Sequence, residues 1–383
     1  MERTRREFLG SGAAIVAAAA GCLAPTGEGG RVGVDAANPP PDPTEPARVD
    51  ADEPSHEAGN YGEVYETIAP SVARIQIYLE EDAGGPFGGD EGGEAGQGSG
   101  FRYTDDLLVT NDHVLGDQDA IRVQTADGTW LDAAVVGRDP FSDLAVIETD
   151  GSLPGGPLPL AETTPTVGTD VLVVGSPLGL EGSATQGIVS GRNRTIPGAV
   201  TQAGRFSIAD AVQIDAALNP GNSGGPIVTL DGNVIGVATA TQGENVGFGV
   251  SAPLVRRVVP ELIETGSYDH SHMGVSILEV EPLLAEANDL PEARGVYLVD
   301  VADDGPAAGV LRGGDEEATV EGATVPTGGD TVVALDDAAI ATTGDLSRYL
   351  ALETRPGDVV EVTVWRDGDE ETVDLELGVR PDA

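Results

Sequence analysis

The sequence could do chemistry at its four histidines, at one serine set among glycines, and at a few aspartates that precede apolar runs. The stretch Ala216–Val228, AALNPGNSGGPIV, crowds Gly221, Gly224 and Gly225 around Ser223, although glycine weakens any strand it interrupts. Such a stretch fits a tight surface turn, since Asn, Pro, Gly and Ser are the usual turn formers. It equally fits a nucleophile loop, where backbone N–H groups converge on a developing oxyanion and a side chain would block them. A serine hydroxyl attacks only with a base in hydrogen-bond reach, and that base needs a third group to fix its tautomer. His56 lies in Pro- and acid-rich sequence, and His270 and His272 lie near a later domain boundary. No cysteine or acidic set near them has metal-ligand spacing, and the sequence suggests no metal or other cofactor. His113, in LLVTNDHVL, sits where an apolar strand gives way to a polar turn, a fitting place for a base on a rigid scaffold. Asp143, in DPFSDLAVIE, precedes another apolar strand and by itself reads as a turn former.

The elements that must position these residues read as strands. ARIQIYL alternates Ile75, Ile77 and Leu79 with Arg74, Gln76 and Tyr78, the period of a half-buried strand. A Gly- and acid-rich loop follows, with strand sequence resuming at Phe101. Further short runs come at AIRVQTADGTWLDAAVV with a turn at Asp127-Gly128, DLAVIE, DVLVVG, GIVSG, AVQID, and PIVTLDGNVIGVATA with a turn at Asp231-Gly232. No helix of ordinary length is expected before residue 250, so the pattern indicates a mainly β sandwich or barrels. SAPLVRRVVPELIETG then places Leu254, Val255, Val258, Val259, Leu262 and Ile263 at helical spacing, with Ser251 as cap, Gly266 as stop and a kink expected at Pro260. The remainder mixes strands with two short helices, PLLAEAN and TGDLSRYLALE, and ends in a hairpin turning at Asp367-Gly368. DEEATVEGATVPTGG reads as an inserted surface loop.

The 383 residues leave room for about two domains. Acidic residues number 65 against 20 basic ones, every one of them arginine, for a net charge of −45. Such a surface repels nucleic-acid phosphates and anionic lipid headgroups. It suits a folded protein from concentrated salt, where screening shortens to about 3 Å at 1 M. Residues 1–22 read as an export address: Arg5-Arg6, then a short apolar run ending at Cys22, similar to a twin-arginine signal with a lipoprotein cleavage box and Cys22 as the lipidated residue. Cys22 is the one cysteine, so no internal disulfide can form. Residues 23–60 read as an acidic Pro/Gly-rich tether.

Four motifs in order carry a family resemblance: GSGF at Gly98–Phe101, VTNDHV around His113, SDLAV around Asp143 and ALNPGNSGGPI around Ser223. Together they resemble the HtrA (DegP-like) serine proteases. HMGVSILEV, RGVYLVDVADDGPAAGVLRGGD and VTVWRDGDEETVDLEL are similar to that family's PDZ domain. The resemblance implies a chymotrypsin-like double β-barrel over 61–267 and a PDZ domain over 268–383. It implies Ser223 as nucleophile, His113 as base and Asp143 as the orienting acid, with an oxyanion hole at Gly221, Asn222 and Ser223. It also implies a peptide groove at Met273, Gly274, Val275, Ile277, Leu346, Tyr349 and Leu350. The side chain before the cut bond would enter a pocket walled by the loop before Gly221 and by Asn245–Ser251. The segment GRNRTIPGAVTQAGRFSIAD resembles the family's sensor loop, with Arg192 as its contact, and Asn193-Arg194-Thr195 also fits a glycosylation acceptor. The implied activity is endopeptidase cleavage of unfolded proteins outside the cytoplasm by a lipid-anchored homotrimer. The alternative is a chaperone or peptide adaptor that cleaves little.

Overall fold

In a computed structural model of the protein, residues 60–79, 93–116, 120–176, 183–198, 207–241 and 245–381 are described. All of them fall in one compact unit, His56–Ala383. The export address with Cys22, the tether with His56, most of the acidic Gly-rich loop and the centre of the sensor-like loop lie outside the described residues.

A helix opens the described chain where none is expected: α1 (Tyr61–Ile68), capped by the Asn60 side chain, which accepts from the Glu63 N–H. Its signal was present, since Tyr61, Val64, Tyr65 and Ile68 recur at helical spacing. Six antiparallel strands then close a barrel in the order β1-β2-β3-β6-β5-β4. They are β1 (Val72–Leu79), β2 (Gly93–Arg102), β3 (Leu107–Thr110), β4 (Ala120–Gln124), β5 (Trp130–Asp139) and β6 (Leu144–Thr149), with a one-turn helix, α2 (Asp112–Leu115), after β3. Ile75, Ile77, Leu108, Ala145 and Ile147 fill its interior. Strand β2 starts at Gly93 and not at Phe101. Its glycines give no apolar alternation, yet they pair with β1 along its whole length.

A second barrel closes in the order β10-β11-β12-β9-β8-β7, from β7 (Asp170–Gly175), β8 (Ser183–Ile196), β9 (Ile208–Ile214), β10 (Pro226–Thr229), β11 (Val234–Thr241) and β12 (Gly247–Ser251). One apolar core spans both barrels: Phe101, Val109 and Val146 of the first meet Leu172, Val228 and Val237 of the second. Helix α3 (Ala252–Thr265) seals this core with Leu254, Val255, Val258, Val259 and Leu262. Ser251 caps it by accepting from the Leu254 N–H, and Gly266 ends it in the left-handed region at φ 86°. The helix runs on through Pro260.

The rest builds a smaller sheet in the order β14-β15-β18-β20-β21. Its elements are β13 (Ser271–His272), β14 (Val275–Glu279), α4 (Pro282–Ala287), β15 (Val296–Val301), β16 (Glu316–Val320), β17 (Ala323–Thr327), β18 (Thr331–Leu335), β19 (Ala338–Ala339), α5 (Thr343–Glu353), β20 (Val359–Arg366), β21 (Asp369–Glu376) and β22 (Gly378–Val379). The segment expected as a surface loop is thus the hairpin β16–β17. Its turn, Glu321-Gly322, takes positive φ at both residues (50° and 85°), the geometry two-residue hairpins favour. Beneath the sheet Arg366 forks onto Asp330, Nε donating to Oδ1 at 2.7 Å and Nη2 to Oδ2 at 2.6 Å. Hydrogen bonding to Asp330 is the main reason the Arg366 pKa is raised further.

Candidate active site

Strand β3 ends at Thr110, and the chain turns through buried Asn111 into α2, which carries His113. The hairpin β5–β6 turns at 140–143 and brings Asp143 to the same place in a left-handed backbone (φ 55°) that aspartate tolerates better than most residues. Asp143 is fully buried and densely bonded. Its carboxylate accepts from the His113 backbone N–H at 3.0 Å, from Thr239 Oγ1, and from His113 Nδ1 at 2.9 and 2.8 Å. Its carbonyl accepts from Asn111 Nδ2 at 2.8 Å. Because a carboxylate only accepts, Nδ1 carries the ring proton, and Nε2 of the neutral imidazole is left as the basic nitrogen. That Nε2 is buried and has no hydrogen-bond partner among the described residues. Next to His113, Asp112 pairs with Arg138 (Nε to Oδ1 2.5 Å). Burial pushes the Asp112 carboxyl up, against the pull of that guanidinium.

The loop bearing Ser223 is held by the opposite barrel through Ser99 of β2. Ser99 donates its N–H to the Ser223 carbonyl at 2.7 Å and its hydroxyl to the Gly221 carbonyl at 2.6 Å, while its own carbonyl accepts from Thr110 Oγ1 at 2.7 Å. A side chain at Gly224 (φ 84°) would overlap the Ser99 carbonyl and Thr110 Oγ1, which accounts for that glycine. The Gly224 N–H donates to the Ala238 carbonyl, one residue from Thr239. The Gly221 and Ser223 amides donate to no described group, whereas the Asn222 N–H donates to the Asn219 carbonyl at 2.9 Å. Asn222 therefore shapes the loop, and its amide is not available to an oxyanion. No hydrogen bond joins Ser223 Oγ to His113 Nε2 among the described residues. Beside the loop, Ala216–Asn219, Thr241 and Asn245–Gly247 line a cavity of about 330 Å³, on the two segments expected to wall the side-chain pocket. Ser99 and Thr239 escaped the sequence reading as supports, the first hidden in a glycine run and the second in an ordinary strand.

Met273, Gly274, Val275, Ile277, Leu346 and Leu350 line another cavity, of about 250 Å³, together with Phe141 and Ser142 of the Asp143 turn. The Met273 and Gly274 amides donate to no described group. Tyr349 does not line it. Its hydroxyl instead bonds Asp336, in the turn after β18, and its pKa rises to about 12, through burial first and that carboxylate second. His270 bridges back to the hairpin, its Nε2 lying 2.8 Å from Asp139 Oδ2, with Phe141 and Tyr268 edge-on to its ring. Arg192, the expected contact of the sensor loop, lines a cavity together with Arg348 of α5.

Comparison with known proteins agrees with this geometry. The Trypsin-like peptidase domain family matches residues 98–237, and the PDZ domain family matches residues 271–377. A probable periplasmic serine endoprotease DegP-like of Rhizobium meliloti (strain 1021) is 40% identical over 309 residues, covering 78% of this chain and 56% of that protein. A protein of the same description from Halomonas elongata is 35% identical over 294 residues, covering 75% and 57%. The chain thus spans little more than half the length of these curated relatives. The solved structure described as HtrA-type protease AlgW with decapeptide superposes with a TM-score of 0.64 at 30% identity, covering 84% of this chain and 99% of that one. A likeness that runs through both barrels and the following sheet, over nearly the whole of a solved relative, leaves one conclusion: the chain belongs to the HtrA-type proteases.

Proposed function

We propose that the protein is an exported serine endopeptidase that cleaves unfolded chains by acyl-enzyme chemistry. The observation that carries this reading is the imidazole of His113, fixed through Nδ1 by a buried aspartate and left with a buried Nε2 that no described residue hydrogen-bonds. In the reaction Nε2 takes the Ser223 Oγ proton as Oγ bonds to the peptide carbonyl carbon. The carbonyl oxygen gains the negative charge, which the Gly221 and Ser223 amides receive. Collapse breaks the C–N bond, His113 returns the proton to the leaving amine, and water repeats the sequence to free the acid. Hydrogen bonds in an unliganded site commonly tighten only with substrate, so the open Ser223–His113 contact fits a resting state.

The groove at Met273–Val275, Ile277, Leu346 and Leu350 would take a peptide C-terminus, its carboxylate on the Met273 and Gly274 amides and its backbone added beside β14. The periplasmic descriptions of the relatives support an extracytoplasmic site of action. Export by the twin-arginine route, lipidation at Cys22, the domain limits 61–267 and 268–383, a homotrimer and a saline habitat complete the proposal. The same open contact favours a second reading, a peptide-binding chaperone with little turnover. Labelling with a fluorophosphonate separates the two: the protease reading expects modification of Ser223 together with casein hydrolysis, and Ser223→Ala should lower turnover about 10⁶-fold. Absence of labelling with peptide present, or casein hydrolysis that survives Ser223→Ala, would overturn it.

A further inference from the structure

Basic residues are scarce in this chain, yet Arg192, Arg256, Arg257, Arg348 and Arg355 line one cavity of about 680 Å³, against the carboxylates of Glu162, Asp210 and Glu353. Three of the guanidiniums are engaged. Arg348 lies 3.3 Å from Asp210, Arg355 donates to Glu261 at 2.9 Å, and Arg257 donates to the Tyr268 hydroxyl at 2.8 Å and to the Thr354 carbonyl. Arg192 and Arg256 are exposed and have no carboxylate partner among the described residues. With 65 acidic residues against 20 arginines, the chain has ample means to pair its cations, yet among the described residues Arg192 and Arg256 have no carboxylate in ion-pair range in a cavity that three more arginines line.

We propose that this cavity binds a small phosphate-class polyanion, orthophosphate or pyrophosphate. Guanidinium forks match the oxygen faces of a tetrahedral anion bidentately, and a multivalent anion in the cavity can meet more than one of these cations where chloride would offset only one. The hydroxyl-bearing Thr163 and Thr164 on the cavity wall add neutral donors. The strongly acidic surface outside the cavity repels extended polyanions and anionic membranes, so a small free anion is favoured over a nucleic acid or a lipid headgroup. Arg192 comes from β8, Arg256 and Arg257 from α3, and Arg348 from α5. A bound anion therefore ties the PDZ helix to the second barrel and raises stability by mass action.

The test uses the full chain carrying Ser223→Ala, which removes self-digestion and makes the outcome independent of the proteolytic reading. Pyrophosphate is titrated in sodium chloride at constant ionic strength while the melting temperature is followed. The expected result is a saturable rise in melting temperature. Arg192→Gln and Arg256→Gln should each weaken the apparent affinity about tenfold, the effect of removing one charge-assisted contact. Arg294→Gln, at an exposed arginine paired with Glu292 elsewhere, should leave the affinity unchanged. Both test residues are exposed, so the variants are expected to fold, and calorimetric titration of each gives a second readout. A rise that never saturates, or one of equal midpoint in the Arg192→Gln/Arg256→Gln double variant, would overturn the proposal.

Discussion

At the scale of single residues, Asp143 decides what His113 can do. Asparagine tolerates the same left-handed backbone, so Asp143→Asn should keep the fold while offering the imidazole a competing donor and so the wrong tautomer. Turnover is expected to fall about 10⁴-fold with the melting temperature nearly unchanged, measured as kcat on casein beside a thermal scan. His272 tests a different balance. Burial, and then the charge of Arg380, hold its pKa below the usual histidine value of 6.5. Above pH 6.5 the folded and unfolded chains both carry it neutral, and the stability it contributes is fully present. As pH falls below 6.5 the unfolded chain protonates first, and stability is lost until the lowered folded value is passed. His272→Asn should therefore flatten part of the decline in melting temperature between pH 7 and pH 5. Molar salt is the right medium for the measurement, because screening there suppresses the response of overall charge.

At the scale of elements, the fork between Arg366 and Asp330 joins β20 to the start of β18 out of water. Removing one partner of a buried pair strands the other, so Asp330→Asn is expected to destabilise the PDZ region by about 3 kcal/mol, read as the denaturant midpoint at constant slope. Most elements were legible because one face of each is buried: the hairpin turning at Asp367-Gly368 and helix α5 could be read from period and turn chemistry alone. Elements whose burial does not rest on large apolar side chains escaped. Strand β2 enters through Gly93–Gly98 by backbone pairing, and β16–β17 is a half-buried hairpin with no fully buried residue, its Val325 packed at the edge of the α4 cluster. At the site, motif order pointed to His113, Asp143 and Ser223, but sequence could not reveal that Ser99 and Thr239 hold them. A hydrogen bond between residues 122 apart, as from Ser99 to Gly221, leaves no local trace.

At the scale of the whole molecule, a net charge of −45 opposes compaction, and only mobile ions relieve it. The melting temperature should climb steeply from dilute buffer to molar potassium chloride, and a flat curve would remove the argument for a saline habitat. The two barrels meet this repulsion jointly, through a common interior and through Ser99. That serine makes the cleft a riveted seam. Opening the barrels like a clam would break both Ser99 hydrogen bonds and draw the Ser223 loop away from β2, so motion along that route carries a cost that sliding along the seam does not.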